Sequence, residues 1–153
     1  MSQSSATPTL LYLQDLQVGQ CFVSGVHSLT AEQIKQFAAE FDPQPFHLDE
    51  DAAQQTFFAG LAASGWHTAA LTMRMLVESV PIAGGLVGAG GEVQWKAPTR
   101  PGDQLRAESE IIEITPSRSR PDRGMVVMRT TTYNQDNQAL QIFTGRIVVP
   151  CRS

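Results

Sequence analysis

"SGWHTAALTMRMLVESV", residues 64–80, reads as a helix with more apolar surface than one exposed face needs. Ser64 is a good N-cap, and Trp66, Ala69, Ala70, Met73, Leu76, Val77 and Val80 recur at helical spacing. Leu71 and Met75 widen that sector past a single stripe, so the helix is expected to be enclosed by other structure. The stripe His67, Leu71, Arg74 and Glu78 is read as its one polar edge.

What encloses the helix is legible on both sides of it. Beyond Pro81 the apolar period changes to two, and "GLVGAGGEVQWKA", "DQLRAESEIIEI", "GMVVMRTTTYNQ" and "QALQIFTGRIVVP" read as four strands. They are separated by the turn signals "RPGD", "SRSRPDRG" and "NQDNQ". "NQDN" suits a tight hairpin, and "PSRSRPDRG" a longer basic loop. Upstream, "GQCFVSGVHSL" (19–29) reads as a short strand. The expectation is an α+β domain: five strands, four of them antiparallel neighbours through short connections, curled around the long helix.

Between the first strand and the long helix lie shorter helical signals. Thr30 followed by Gln33 is a capping box, and Ile34, Phe37, Ala38 and Phe41 recur at helical spacing behind it. Pro43 disfavours helix at Asp42, which ends the segment there, and the X-Pro steps push Asp42 and Gln44 toward extended backbone. Asp49 is placed to cap a short helix through "EDAAQQT".

The totals narrow the classes. The chain has 153 residues, enough for one domain with its own core. Cys21 and Cys151 are the two cysteines, with no CxxC spacing and no histidine cluster, so free thiols in a reducing cytoplasm are expected, and neither a disulfide framework nor a metal site. Residues 1–9 read as a disordered Ser/Thr/Pro tail before a domain over 10–153, and no apolar run has the length of a membrane span. A net charge of −4 argues against nucleic acid as principal partner. The sign is uneven, with two Lys/Arg against eight Asp/Glu in residues 1–80 and nine against seven in 81–153. The second half therefore offers a cationic patch for a small phosphorylated ligand.

"FAAEFDPQPFHLDEDAA", then "FFAGLAASGWHTAALTMRMLVES", then "WKAPTRPGD" resemble, in order and spacing, the MaoC-like dehydratases, which include the (R)-specific enoyl-CoA hydratases. The similarity runs over about residues 12–150, and its most specific piece is D-x4-H, met by Asp42 and His47. The resemblance implies a hotdog fold, a homodimer or higher homo-oligomer, and an acyl-CoA thioester in a tunnel near the dimer interface. No cofactor is implied besides coenzyme A as part of the substrate. It also implies reversible hydration of a trans-2-enoyl-CoA to a 3-hydroxyacyl-CoA. The alternatives on the same fold are a thioesterase and a non-catalytic acyl-CoA-binding protein.

Hydrating a double bond conjugated to a thioester needs a water activated at Cβ, a proton for Cα, and a donor for the thioester oxygen. Asp42 and His47 suit the first two, because a carboxylate and an imidazole can hold one water between them. Five residues fully extended span roughly 16–18 Å, so the pair converges only if the chain bends between them. Gly65 suits the third. It lies in the first turn of the long helix, where backbone N–H groups lack intrahelical partners and the dipole favours negative charge. In the family that helix start polarises the thioester, and the frequent "HG" there is Ser64–Gly65 in this chain. Some hydratases add a serine further along the helix, where this chain has Ala70. Ser64 and Trp66 (as tunnel wall) are further candidates for contact with substrate, and Lys96, Arg118, Arg120 and Arg123 are candidates for the phosphates of CoA, with Arg100 beside them.

Overall fold

In the computed structural model residues 9–153 are described, so all but Thr9 of the expected tail lies outside the described residues. Four long strands follow the central helix: β3 (Val87–Trp95), β4 (Gln104–Pro116), β5 (Arg123–Tyr133) and β6 (Ala139–Pro150). The upstream strand is broken in two, β1 (Cys21–Val23) and β2 (His27–Ser28), both antiparallel to β4. Ser24 lies at the break. Its hydroxyl takes the Ala107 N–H at 2.8 Å, and its own N–H donates to the Ala107 carbonyl at 2.9 Å.

The sheet order is β1-β4-β5-β6-β3, and each of these neighbours runs antiparallel to the next. One expectation is corrected here. β3 and β4 follow each other closely in the chain but are not neighbours, because β3 pairs with β6 at the opposite edge. Three strand spacings come to about 14 Å. The connection 96–103, which can reach roughly 27 Å, spans them easily. Its "RPGD" end is a turn in which the buried Asp103 carboxylate accepts the Arg100 N–H at 2.8 Å and Gly102 takes φ +85°. The "NQDN" hairpin forms as read, with the Asn134 side-chain oxygen accepting from Asp136 and Gln138 N–H groups.

The remaining helices are α1 (Ala31–Phe41), α2 (Pro45–Leu48), α3 (Glu50–Gln54) and α4 (Gly65–Ser79). Thr30 and Gln33 form the expected capping box on α1, and Asp49 Oδ1 accepts the Ala52 N–H at 2.8 Å to start α3. Among the described residues no helix is long and apolar enough to cross a membrane.

The core lies between α4 and the sheet. Leu76 and Val80 meet Ile111, Val126, Met128 and Val149, while Met75 packs with Leu105, Ala107 and Leu140. Each such large side chain contributes about 1.5–3 kcal/mol on burial. The orientation of α4 departs from its apolar pattern. Thr68 and Thr72 face inward with Met75 and Leu76, whereas Trp66, Ala70, Met73 and Val77 are exposed, Trp66 and Val77 each by 61%. The threonines tolerate burial because they are bonded: Thr72 Oγ1 to the Thr132 hydroxyl at 2.6 Å, Thr68 Oγ1 to the Thr99 hydroxyl at 2.9 Å. Among the described residues the helix is thus enclosed on one side only, and its apolar flank adjoins the unpaired edge of β3.

Candidate active site

α2 was not expected from the sequence, and it is the element that brings Asp42 and His47 together. Asp42 ends α1 as its C-cap, and Gln44 is extended, as the prolines require. Pro45 then occupies the first turn of α2, where its fixed φ suits a helix and its missing N–H costs nothing. The His47 N–H donates to the Gln44 carbonyl at 2.9 Å. This single turn folds the ring back until Nε2 lies 3.3 Å from Asp42 Oδ2.

The ring is fixed from its other side. His47 is 4% exposed, and Nδ1 lies 2.6 Å from the Ala62 carbonyl oxygen. A carbonyl only accepts, so Nδ1 carries a proton, and in the neutral ring Nε2 presents its lone pair toward Asp42. Asp42 accepts from the Gln44 side-chain amide through its other oxygen. Burial pushes the Asp42 carboxyl up, but the Ser64 hydroxyl, the Gln44 amide and the neighbouring His47 together hold it below its ordinary value of 3.8. Two acceptors are therefore in contact at 3.3 Å, an arrangement that a protonated ring satisfies directly or a water bonded to both from one side satisfies in the neutral state.

Beside this pair is a cavity of about 320 Å³ whose wall includes His47, Phe58, Gly65, Thr68, Trp95 and Lys96. Asp42 is not part of the wall and adjoins it through its contact with His47. Gly65 is the first residue of α4, and its N–H has no carbonyl one turn earlier to bond. Its lack of a side chain is also a packing requirement, since a Cβ there would lie 2.5 Å from the Trp95 ring.

The other candidates divide. Lys96 is exposed at the cavity. Ser64 is fully buried and serves as the α4 cap, its Oγ accepting the Trp66 N–H at 3.3 Å, so it touches Asp42 rather than the cavity. Trp66 is outside the wall, and Trp95 holds the place expected of it, edge-on to Trp66 at 5.1 Å. Arg100 is structural, its guanidinium donating to the carbonyls of Phe58 and Leu61. Arg118, Arg120 and Arg123 are not brought to the cavity of their own chain. Their loop is beside Val87, at the far end of β3 from Trp95, and nine residues of strand separate the two ends by about 26 Å. Arg123 is paired with its neighbour Asp122 at 3.0 Å.

His67 is corrected from polar edge to buried residue. Its ring stacks on Phe37 of α1 at 4.5 Å, Nδ1 has no partner among the described residues, and burial holds it below its ordinary value. Ala70 is exposed, and the hydroxyls at the cavity are those of Thr68 and Thr99. Sequence reasoning missed Trp95, Thr68 and Thr99 as wall residues and the Ala62 carbonyl as the anchor of His47. "WKAP" stood within the resembling stretch, but nothing in it separates a wall tryptophan from a core one, and a backbone carbonyl leaves no trace in residue type. Among the described residues no group of three or more His, Cys, Asp or Glu is placed to hold a metal ion.

The model of the MaoC-like domain family matches residues 19–134. A crystal structure of a MaoC-like dehydratase from Rhodospirillum rubrum is 54% identical and superposes with a TM-score of 0.92, covering 94% of this chain and 99% of that one. An (R)-specific enoyl-CoA hydratase of the same organism is 30% identical over 123 residues, 80% of this chain and 81% of the relative. YdeM, an uncharacterized protein of Bacillus subtilis, is 31% identical over 140 residues, 90% of this chain and 96% of its own.

Proposed function

This chain belongs to the MaoC-like domain family, and from that premise we propose that it reversibly hydrates the double bond of a trans-2-enoyl-CoA. The observation that carries the reading is the His47 ring, anchored through Nδ1 to Ala62 with Nε2 turned to the Asp42 carboxylate beside a cavity reaching Gly65. A water seated beside the pair, at the cavity end of His47 and bonded to Nε2 and the Asp42 carboxylate together, gives up a proton to Nε2 as its oxygen bonds to Cβ of the substrate. Charge then builds on the thioester oxygen, which the Gly65 N–H and the positive end of α4 stabilise. The proton taken by Nε2 is delivered to Cα, so the elements of one water end on Cβ and Cα. Asp42, held ionised at neutral pH, orients the water and stabilises the protonated ring. Lys96, which makes no ion pair among the described residues, meets an anionic part of coenzyme A.

The reading includes a homodimer. Among the described residues β3 has β6 on one side and an open edge on the other, and exposed Trp66 and Val77 of α4 and Val87 and Trp95 of β3 lie along it. A second copy, presenting the same edge and flank, is the occupant proposed for it.

Crotonyl-CoA tests the reaction. Loss of the conjugated absorbance without free thiol is the expected outcome, and release of thiol would indicate a thioesterase instead. Asp42→Asn and His47→Ala should each lower turnover by about 10²–10⁴-fold at unchanged oligomeric mass. Ligand binding without turnover, indifferent to both substitutions, would leave only an acyl-CoA-binding protein.

A further inference from the structure

The groove between α4 and strands β3 and β6 is a row of three hollows in register. The first is the cavity just described, between Gly65 and Thr68 on the helix and Trp95 on the sheet. One turn along, Ala69 and Thr72 face Val93 across a hollow of about 190 Å³. A further turn along, Leu76 faces Gly91 across one of about 380 Å³. Trp95, Val93 and Gly91 are alternate residues of one strand and so share the face toward the helix. Met73 and Phe143 line both the second and the third hollow, which therefore adjoin.

The Trp95 indole, 46% exposed, lines the first hollow and is bonded to a residue of the second. Its Nε1 donates to the Gly65 carbonyl at 3.0 Å and to Gln141 Oε1 at 2.9 Å, and the Gln141 amide in turn donates to Thr72 Oγ1 at 3.1 Å. Gln141 itself lines the second hollow. Sheet and helix thus hold one large ring at the side of the cavity nearest the second hollow.

We propose that Trp95 is a specificity-determining gate, restricting the site to short acyl chains by closing it from an apolar channel along α4 that would accept longer ones. The inference rests on the acyl-CoA reading above. The occupant implied for the channel is the alkyl tail of the same thioester, since the hollows continue the cavity along the same helix and strand.

Saturated butyryl-CoA and decanoyl-CoA, titrated calorimetrically into the full-length protein, score the gate without requiring turnover. Hydration of crotonyl-CoA in the same preparations scores the reaction separately. Trp95→Leu should raise the ratio of decanoyl- to butyryl-CoA affinity by about tenfold or more, a fraction of what burying six methylenes offers. Gln141→Leu, which unties the ring and leaves it in place, should raise the ratio less and serves where Trp95→Leu does not fold. Ala69→Phe, filling the second hollow, should leave the wild-type ratio unchanged and cancel the gain in the double variant. An unchanged ratio in both folded gate variants overturns the proposal. So does a fall in decanoyl-CoA affinity from Ala69→Phe alone, which would mean that the chain already passes Trp95. A shifted ratio without crotonyl-CoA hydration keeps the gate and removes the hydratase reading; absence of binding by every variant removes both.

Discussion

Asp42 has three partners that favour its charged form, Ser64, Gln44 and His47, and their combined effect outweighs partial burial. Its folded value is therefore depressed. The stabilisation this represents is fully present above the unfolded value, about 3.9, and is lost as pH falls through the lower folded value. Asp42→Asn removes that dependence. The stability difference between wild type and Asp42→Asn should shrink as pH falls from about 5 to about 3, as measured by urea unfolding at stepped pH. A difference that instead grows over that window would mean the carboxylate is not held ionised by these partners. At this scale D-x4-H was readable from residue types, but its convergence was not. That depended on Pro45 nucleating one turn and on the Ala62 carbonyl anchoring the ring, and the latter involves a backbone atom 15 positions away.

The start of α4 serves three purposes at once: Ser64 caps it, Gly65 admits the Trp95 ring, and Gly65, whose N–H has no intrahelical partner, lies in the cavity wall. Gly65→Ala puts a methyl 2.5 Å from the ring, closer than any contact atoms tolerate, so the indole must move. The expected cost is about 1–3 kcal/mol in chemical unfolding, with a change in indole fluorescence as Trp95 leaves Gln141. Ser64→Ala should cost about 0.5–2 kcal/mol through the lost cap without moving the ring. Equal fluorescence shifts in the two variants would contradict this division. The helix and its cap were readable because capping and periodicity are local. Which flank turned inward was not, because apolar Trp66, Met73 and Val77 competed with Thr68 and Thr72, and the threonines won by finding hydroxyl partners on the sheet and the Thr99 loop.

For the whole molecule the open edge of β3 and the apolar flank of α4 form one continuous surface, and an unpaired strand beside exposed tryptophans is an invitation to pairing. Light scattering should give twice the chain mass. Val77→Glu combined with Val87→Glu should reduce it to one, with the fold retained by circular dichroism, because both side chains are exposed in the single chain. A wild-type monomer would remove the dimer from the functional reading while leaving the Asp42–His47 pair untouched.

The order of elements, the capping residues, the hairpin at Asn134 and the D-x4-H spacing of Asp42 and His47 were all determined along the chain, since each depends on the local run of residues. The pairing of β3 with β6, the inward turn of Thr68 and Thr72, the burial of His67 and the bonding of Trp95 to Gly65 and Gln141 were decided only in three dimensions. Each of those is a choice between surfaces of similar polarity, and what settles such a choice is which hydrogen-bond partner or packing surface arrives from a distant part of the chain.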